Sequence, residues 1–183
     1  MTDFLPPQKS GLIVIDMQTG LVPHMDRGHQ ILDRIVFMLQ CAEVLELPMF
    51  ATEQVPERLG HILPLLKEQV TTIYPKCTFS VYRDEPIRVA IEQMDCSHFI
   101  LMGVESHICL LQTAKDLIKA GKKVVVCNDA TSSRSLYDFS TAMGELRDVG
   151  ARISSTETVV YELLQEAGTP LFKKILPILK RDV

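Results

Sequence analysis

Six short apolar or β-branched runs recur along the chain, and each is separated from the next by a stretch whose apolar residues follow a helical period. They fall near residues 12–15, 48–52, 71–74, 99–102, 123–127 and 151–154. Strands that alternate with helices need crossover connections, and crossovers are right-handed. The pattern therefore predicts an α/β domain, a three-layer doubly wound sandwich around a six-stranded parallel sheet. If its order is 3-2-1-4-5-6, the first and fourth strands are neighbours where the winding reverses, and ligands bind outside the carboxyl ends of strands at that switch.

The intervening segments fit. Ile31, Leu32, Ile35, Met38, Leu39, Ala42 and Leu45 trace one helical face over 29–46. Asp84 is an N-cap with Pro86 in the first turn of a helix over 85–94. Shorter helices are expected near 62–68 and over 136–149. Ser154 and Glu157 have capping-box spacing for a helix through Ala167. A last helix from Pro170 is expected to be interrupted at Pro177, and 128–135 reads as a polar loop. With 183 residues, no repeat and no linker, 1–183 is expected to be a single domain that needs no cross-links.

The switch point carries chemistry. Asp16 ends the first run. Ser106 is the expected N-cap of the helix after the fourth run, which places Cys109 in that helix's first turn. There the unpaired N–H groups and the positive end of the dipole favour a thiolate. Lys76 follows the third strand and adds a cation. The lysine can hold Asp16 and lower the thiol pKa, while Asp16 can take the thiol proton and return it to a leaving group. Each residue has an ordinary alternative: a core cysteine, a turn-capping aspartate, a solvated lysine.

Net charge of -4 and scattered basic residues give no reason to expect nucleic acid as a partner or a ribonuclease role. Nothing approaches a membrane span, so no membrane partner is expected. Five irregularly spaced cysteines suit a reducing compartment, and the amino terminus lacks a secretory pattern. A cytoplasmic location is the default, with a short mitochondrial address still compatible. No cofactor is expected.

Val14-Ile-Asp-Met-Gln18, Thr52-Glu-Gln54, Lys76-Cys-Thr-Phe-Ser80, Gly103-Val-Glu-Ser-His-Ile-Cys109, Asp129-Ala-Thr-Ser-Ser-Arg-Ser135 and Pro170-Leu-Phe-Lys-Lys-Ile-Leu176 occur in this order. Together they resemble the isochorismatase-like cysteine hydrolase superfamily, and most closely its branch of isochorismatase domain-containing proteins. The resemblance implies an Asp16, Lys76 and Cys109 triad acting on a small-molecule substrate, an amide or other acyl compound, through a thioester-like intermediate. It implies a cis peptide between Val104 and Glu105, with the N–H groups of Glu105 and Cys109 forming an oxyanion hole. Gln18, Glu53, His107 and Arg134 are candidate substrate-binding residues; for Arg134 an ion pair is at least as good an account.

Nicotinamidases hold a metal through an aspartate and paired histidines after the second strand. Here that stretch offers only His61, so no metal is expected. Family members commonly form homo-oligomers, and the apolar residues of 171–179 are a candidate contact surface. Two other functions stay open: a thiol redox protein using Cys109, with Cys77 as a conceivable disulfide partner, and a noncatalytic scaffold.

Overall fold

A computed structural model describes residues 4–180 of the chain. Residues 1–3, part of the amino-terminal stretch read above, and 181–183 lie outside the described residues. The sheet is six-stranded, in the order β3-β2-β1-β4-β5-β6, and every pairing is parallel. Its strands are β1 (Ser10–Ile15), β2 (Met49–Gln54), β3 (Ile73–Lys76), β4 (His98–Val104), β5 (Lys123–Ser132) and β6 (Arg152–Ser154). The helices are α1 (Gly28–Val44), α2 (Pro56–Leu59), α3 (Pro64–Lys67), α4 (Glu85–Gln93), α5 (Leu111–Lys119), α6 (Leu136–Asp148), α7 (Thr156–Leu164) and α8 (Pro170–Leu179). A π-helical turn, Ser106–Leu110, precedes α5.

β1 and β4 are buried at every position, as expected of central strands covered on both faces. Alternate residues feed two cores. Leu12 and Val14 of β1 with Ile100 and Met102 of β4 face α1, α7 and α8. Ile13 and Ile15 with Phe99 and Leu101 face α4, α5 and α6. Gly103 is fixed by the junction between these strands: it lies opposite Ile15 at φ +124°, and a Cβ there would meet the Ile15 carbonyl oxygen at 2.1 Å. Only glycine lets β4 lie this close.

Several local expectations change. The polar residues 128–132 continue β5, because Thr131 and Ser132 pair with Gly103 and Val104 after a register shift. Their hydroxyls donate to the carbonyls of Gly103 and Asp26, satisfying polar side chains inside a strand. Segment 56–59 after β2 is a single helical turn, opened by Pro56 at its first position. Lys76 is the last residue of β3 instead of following it, and Pro75 is tolerated because β3 is an edge strand. Ser155 caps α7, accepting from Thr158 N, and α7 ends at Leu164. α8 runs through Pro177. Its residues Ile175 and Leu179 are buried in the core, and Leu171, Phe172 and Ile178 pack against it, so much of the apolar surface read as a candidate contact between subunits is spent within the chain. Among the described residues, no helix is long and apolar enough to cross a membrane.

Candidate active site

Three strands end in residues that leave the extended conformation abruptly. Asp16 after β1, Val55 after β2 and Glu105 after β4 all have positive φ, at 54°, 38° and 56°. Such backbone is uncommon for residues with a Cβ and clusters where a site demands it. Here it bends three chains at the carboxyl edge of the sheet, beside the β1–β4 switch. The implied cis bond between Val104 and Glu105 is not found: no cis peptide occurs among the described residues. The left-handed turn at Glu105 redirects the chain instead.

That turn also alters the start of the following helix. Ser106 is not an N-cap; its hydroxyl lies 3.1 Å from Thr131 Oγ1. Glu105 occupies the cap position, and its carbonyl accepts from Ile108 N at 2.9 Å and Leu110 N at 3.4 Å. The wide turn carries Cys109 into the interior.

Lys76 lies between the two other candidate catalytic residues. Its Nζ donates to Asp16 Oδ2 at 2.8 Å and lies 3.8 Å from Cys109 Sγ. Further acceptors are Gln54 Oε1 at 2.5 Å and the carbonyls of Thr78 and Phe79. Asp16 Oδ1 accepts from the Thr52 hydroxyl at 2.7 Å. Asp16 and Lys76 are both buried, so each charge is desolvated and held by the other.

The electrostatics of the thiol run opposite to the helix-dipole expectation. Burial first, then the negative charge of Asp16, push Cys109 up to about 12, against the pull of Lys76. Hydrogen bonding to Asp16 and the charge of Glu105 add to the rise. In the resting site the sulfur is therefore a thiol beside a carboxylate.

The four candidate binding residues divide into two groups. Gln18 and Glu53 brace the segment after α2. Gln18 accepts from Gln54 N and donates to the carbonyls of Gln54 and Gly60, while Glu53 accepts from Ile62 N at 2.7 Å and lies 3.1 Å from His61 Nδ1. Neither side chain contacts the Asp16–Lys76–Cys109 group through these bonds. His107 and Arg134 gather on Glu105 instead: Arg134 Nε is 2.9 Å from Oε1 and His107 Nδ1 is 3.5 Å from Oε2. Thr52 and Gln54, which hold Asp16 and Lys76, entered the sequence reading only as part of a family motif and were given no role in the site. Their signal was the strand's period of two, which puts both on one face and Glu53 on the other. No group of three or more His, Cys, Asp or Glu among the described residues is arranged to hold a metal. All five cysteines are free, and Cys77 is exposed.

Known proteins share the fold and much of the sequence. Residues 10–158 match the isochorismatase domain. Isochorismatase domain-containing protein 2A of Mus musculus is 33% identical over 97% of this chain and 85% of its own. The solved MAR1 ribonuclease of Caenorhabditis elegans is 31% identical with a TM-score of 0.92, covering 97% of this chain and 93% of its own. The YcaC gene product of Escherichia coli, described as an octameric hydrolase of unknown specificity, shares the fold at 17% identity with a TM-score of 0.88 over 100% of this chain and 99% of its own. Fold, domain match and full-length relatives converge: the chain belongs to the isochorismatase family.

Proposed function

We propose that the chain is a cysteine hydrolase of small amides or related acyl compounds, with Asp16, Lys76 and Cys109 as its catalytic group. The observation that carries this reading is the position of Lys76 Nζ, 2.8 Å from the Asp16 carboxylate and 3.8 Å from the Cys109 sulfur, with all three residues buried at the switch point. As the sulfur attacks the carbonyl carbon, its proton passes to Asp16 and a carbon–sulfur bond forms. The N–H groups of Glu105 and Cys109 receive the oxyanion. The carbon–nitrogen bond then breaks, and Asp16 returns the proton to the departing amine. Water attacks the thioester, giving one proton to Asp16, which hands it back to the leaving sulfur. Lys76 keeps Asp16 in position throughout.

Because the resting thiol titrates near 12, attack and proton transfer to Asp16 belong to one event, as in general-base catalysis. A redox role gains nothing from such a thiol, since peroxide reacts with thiolates. RNA cleavage has the name of the Caenorhabditis elegans relative behind it. Against it stand the net charge of -4 and the neutralisation of Lys76 by Asp16. The octameric relative supports a homo-oligomeric assembly here too, and the five free thiols suit a reducing, cytoplasmic setting.

The test is a screen of small amides, ureido acids and esters, with RNA alongside, using Cys109→Ala as the blank. The expected outcome is hydrolysis of an acyl compound that vanishes in a variant with an unchanged unfolding curve. Full activity in Cys109→Ala would overturn the reading.

A further inference from the structure

The Glu105 carboxylate is the buried charge that neither the fold nor the reaction above fully engages. The residue is 7% exposed. Oε1 is ion-paired with Arg134, but Oε2 is buried and accepts no hydrogen bond among the described residues. The neighbouring His107 Nδ1, at 3.5 Å, is within 2.9 Å of Ser133 Oγ, which gives that nitrogen a partner of its own. A buried carboxylate oxygen has lone pairs that call for a donor, and leaving them empty is costly.

The position of this acceptor matters. Glu105 ends β4 and opens the turn that carries the nucleophile, and its charge reaches the Cys109 thiol. Arg134, which could have met a substrate carboxylate, has its charge opposed by Glu105 at 2.9 Å. An anion arriving beside the thiol therefore meets two carboxylates, Asp16 and Glu105, and the cations Lys76 and Arg134 are each already paired with one of them.

We propose that Glu105 Oε2 is a specificity-determining acceptor for a substrate N–H. The hydrolase then takes small amides with a further N–H group beside the acyl carbon, as an ammonium, amidinium or ureido nitrogen, and rejects amides bearing a carboxylate there. The substrate class rests on the hydrolase reading given above; recognition by Glu105 needs only the side chains around Cys109.

Four alkylating probes with one leaving group separate charge from hydrogen bonding: chloroacetamidine (cationic donor), chloroacetamide (neutral donor), methyl chloroacetate (neutral, no donor) and chloroacetate (anion). Each forms one sulfur–carbon bond at Cys109, with chloride leaving and the thiol proton passing to Asp16. The rate of modification of the Cys109 peptide, read by mass spectrometry and divided by the rate with glutathione, removes intrinsic reactivity. In the wild type the normalised rates should fall in the order given, the amide exceeding the ester by at least about tenfold. Glu105→Gln should compress the amidine-to-acid ratio by at least about tenfold.

Equal rates for amide and ester, or an unmoved ratio in Glu105→Gln, would overturn the proposal. Should that variant unfold, Arg134→Gln decides: it leaves the carboxylate and removes its cation, so the preference for the amidine must rise, and no rise would count against Glu105. The same four groups, placed on the acyl side of small amides, are then compared in hydrolysis. A chain that hydrolyses no amide but keeps the alkylation order would overturn the hydrolase reading and leave recognition by Glu105 standing. Hydrolysis of carboxylate-bearing amides as fast as the others would do the reverse.

Discussion

Asp16→Asn isolates the effect of one buried charge on the thiol. Lys76 Nζ lies 2.8 Å from Asp16 Oδ2 and 3.8 Å from Cys109 Sγ, so the carboxylate oxygen and the sulfur are at most about 6.6 Å apart. Coulomb's law at an effective dielectric of about 20 gives roughly 2.5 kcal/mol of repulsion between carboxylate and thiolate at that distance. This is close to two pKa units, and a shorter separation gives more. Removing the charge also frees Lys76 to favour the thiolate. The thiol, at about 12 in the native chain, should fall to about 10 or below. The assay is the rate of alkylation of the Cys109 peptide by iodoacetamide as a function of pH. In the native chain the rate should climb without a plateau up to about pH 11, whereas Asp16→Asn should level off at least about one unit earlier. The variant should thus reach its alkylation plateau at lower pH while losing turnover, because its thiol ionises more easily but has no base. An apparent thiol pKa that is unchanged or higher in Asp16→Asn would refute the electrostatic account.

The ion pair and the close strand junction make further predictions. Lys76→Met leaves the buried Asp16 charge unpaired and should cost about 3–5 kcal/mol in urea unfolding, and the double variant with Asp16→Asn should recover part of it. Gly103→Ala forces a Cβ to within 2.1 Å of the Ile15 carbonyl oxygen at φ +124°; a loss of at least about 3 kcal/mol, or no folded chain, is expected. Stability should also fall in alkali. Burial raises the Cys41 and Cys109 thiols to about 12, and Cys127 also rises, whereas unfolded thiols ionise near 8.5. A raised native pKa stabilises fully below the unfolded value and is lost as pH climbs toward the native one. Each thiol should therefore cost about 1.4 kcal/mol per pH unit between roughly 9 and 12. Urea titrations of Cys41→Ala/Cys127→Ala at pH 8 to 10 should show a flatter decline than the parent.

What could be read from the sequence was whatever depends on period and order. The apolar runs of β1 and β4 announced central strands, and alternation of strand and helix led to the sheet order in which Asp16 and Cys109 meet. Residues 128–132 misled, because a polar strand end looks like a loop until its hydroxyls are seen donating to the Gly103 and Asp26 carbonyls. The sign of the thiol shift was illegible for a similar reason. Helix position and a lysine can be inferred along a chain, whereas burial and the nearness of Asp16 arise only from three-dimensional packing. Gln18 and Glu53 were named as candidate binding residues, yet their bonds go to Gln54, Gly60, His61 and Ile62. Thr52 and Gln54, two residues apart on β2, supply the contacts to Asp16 and Lys76 instead.

The proposed reaction passes through a covalent bond between substrate and Cys109. Acid quenching during turnover of a hydrolysed amide, followed by intact-mass and peptide analysis, reads that bond directly. The prediction is a mass increase equal to the acyl group on the peptide containing Cys109, absent in Cys109→Ala. Sustained hydrolysis with the Cys109 peptide unmodified, and equally fast in Cys109→Ala, would contradict it.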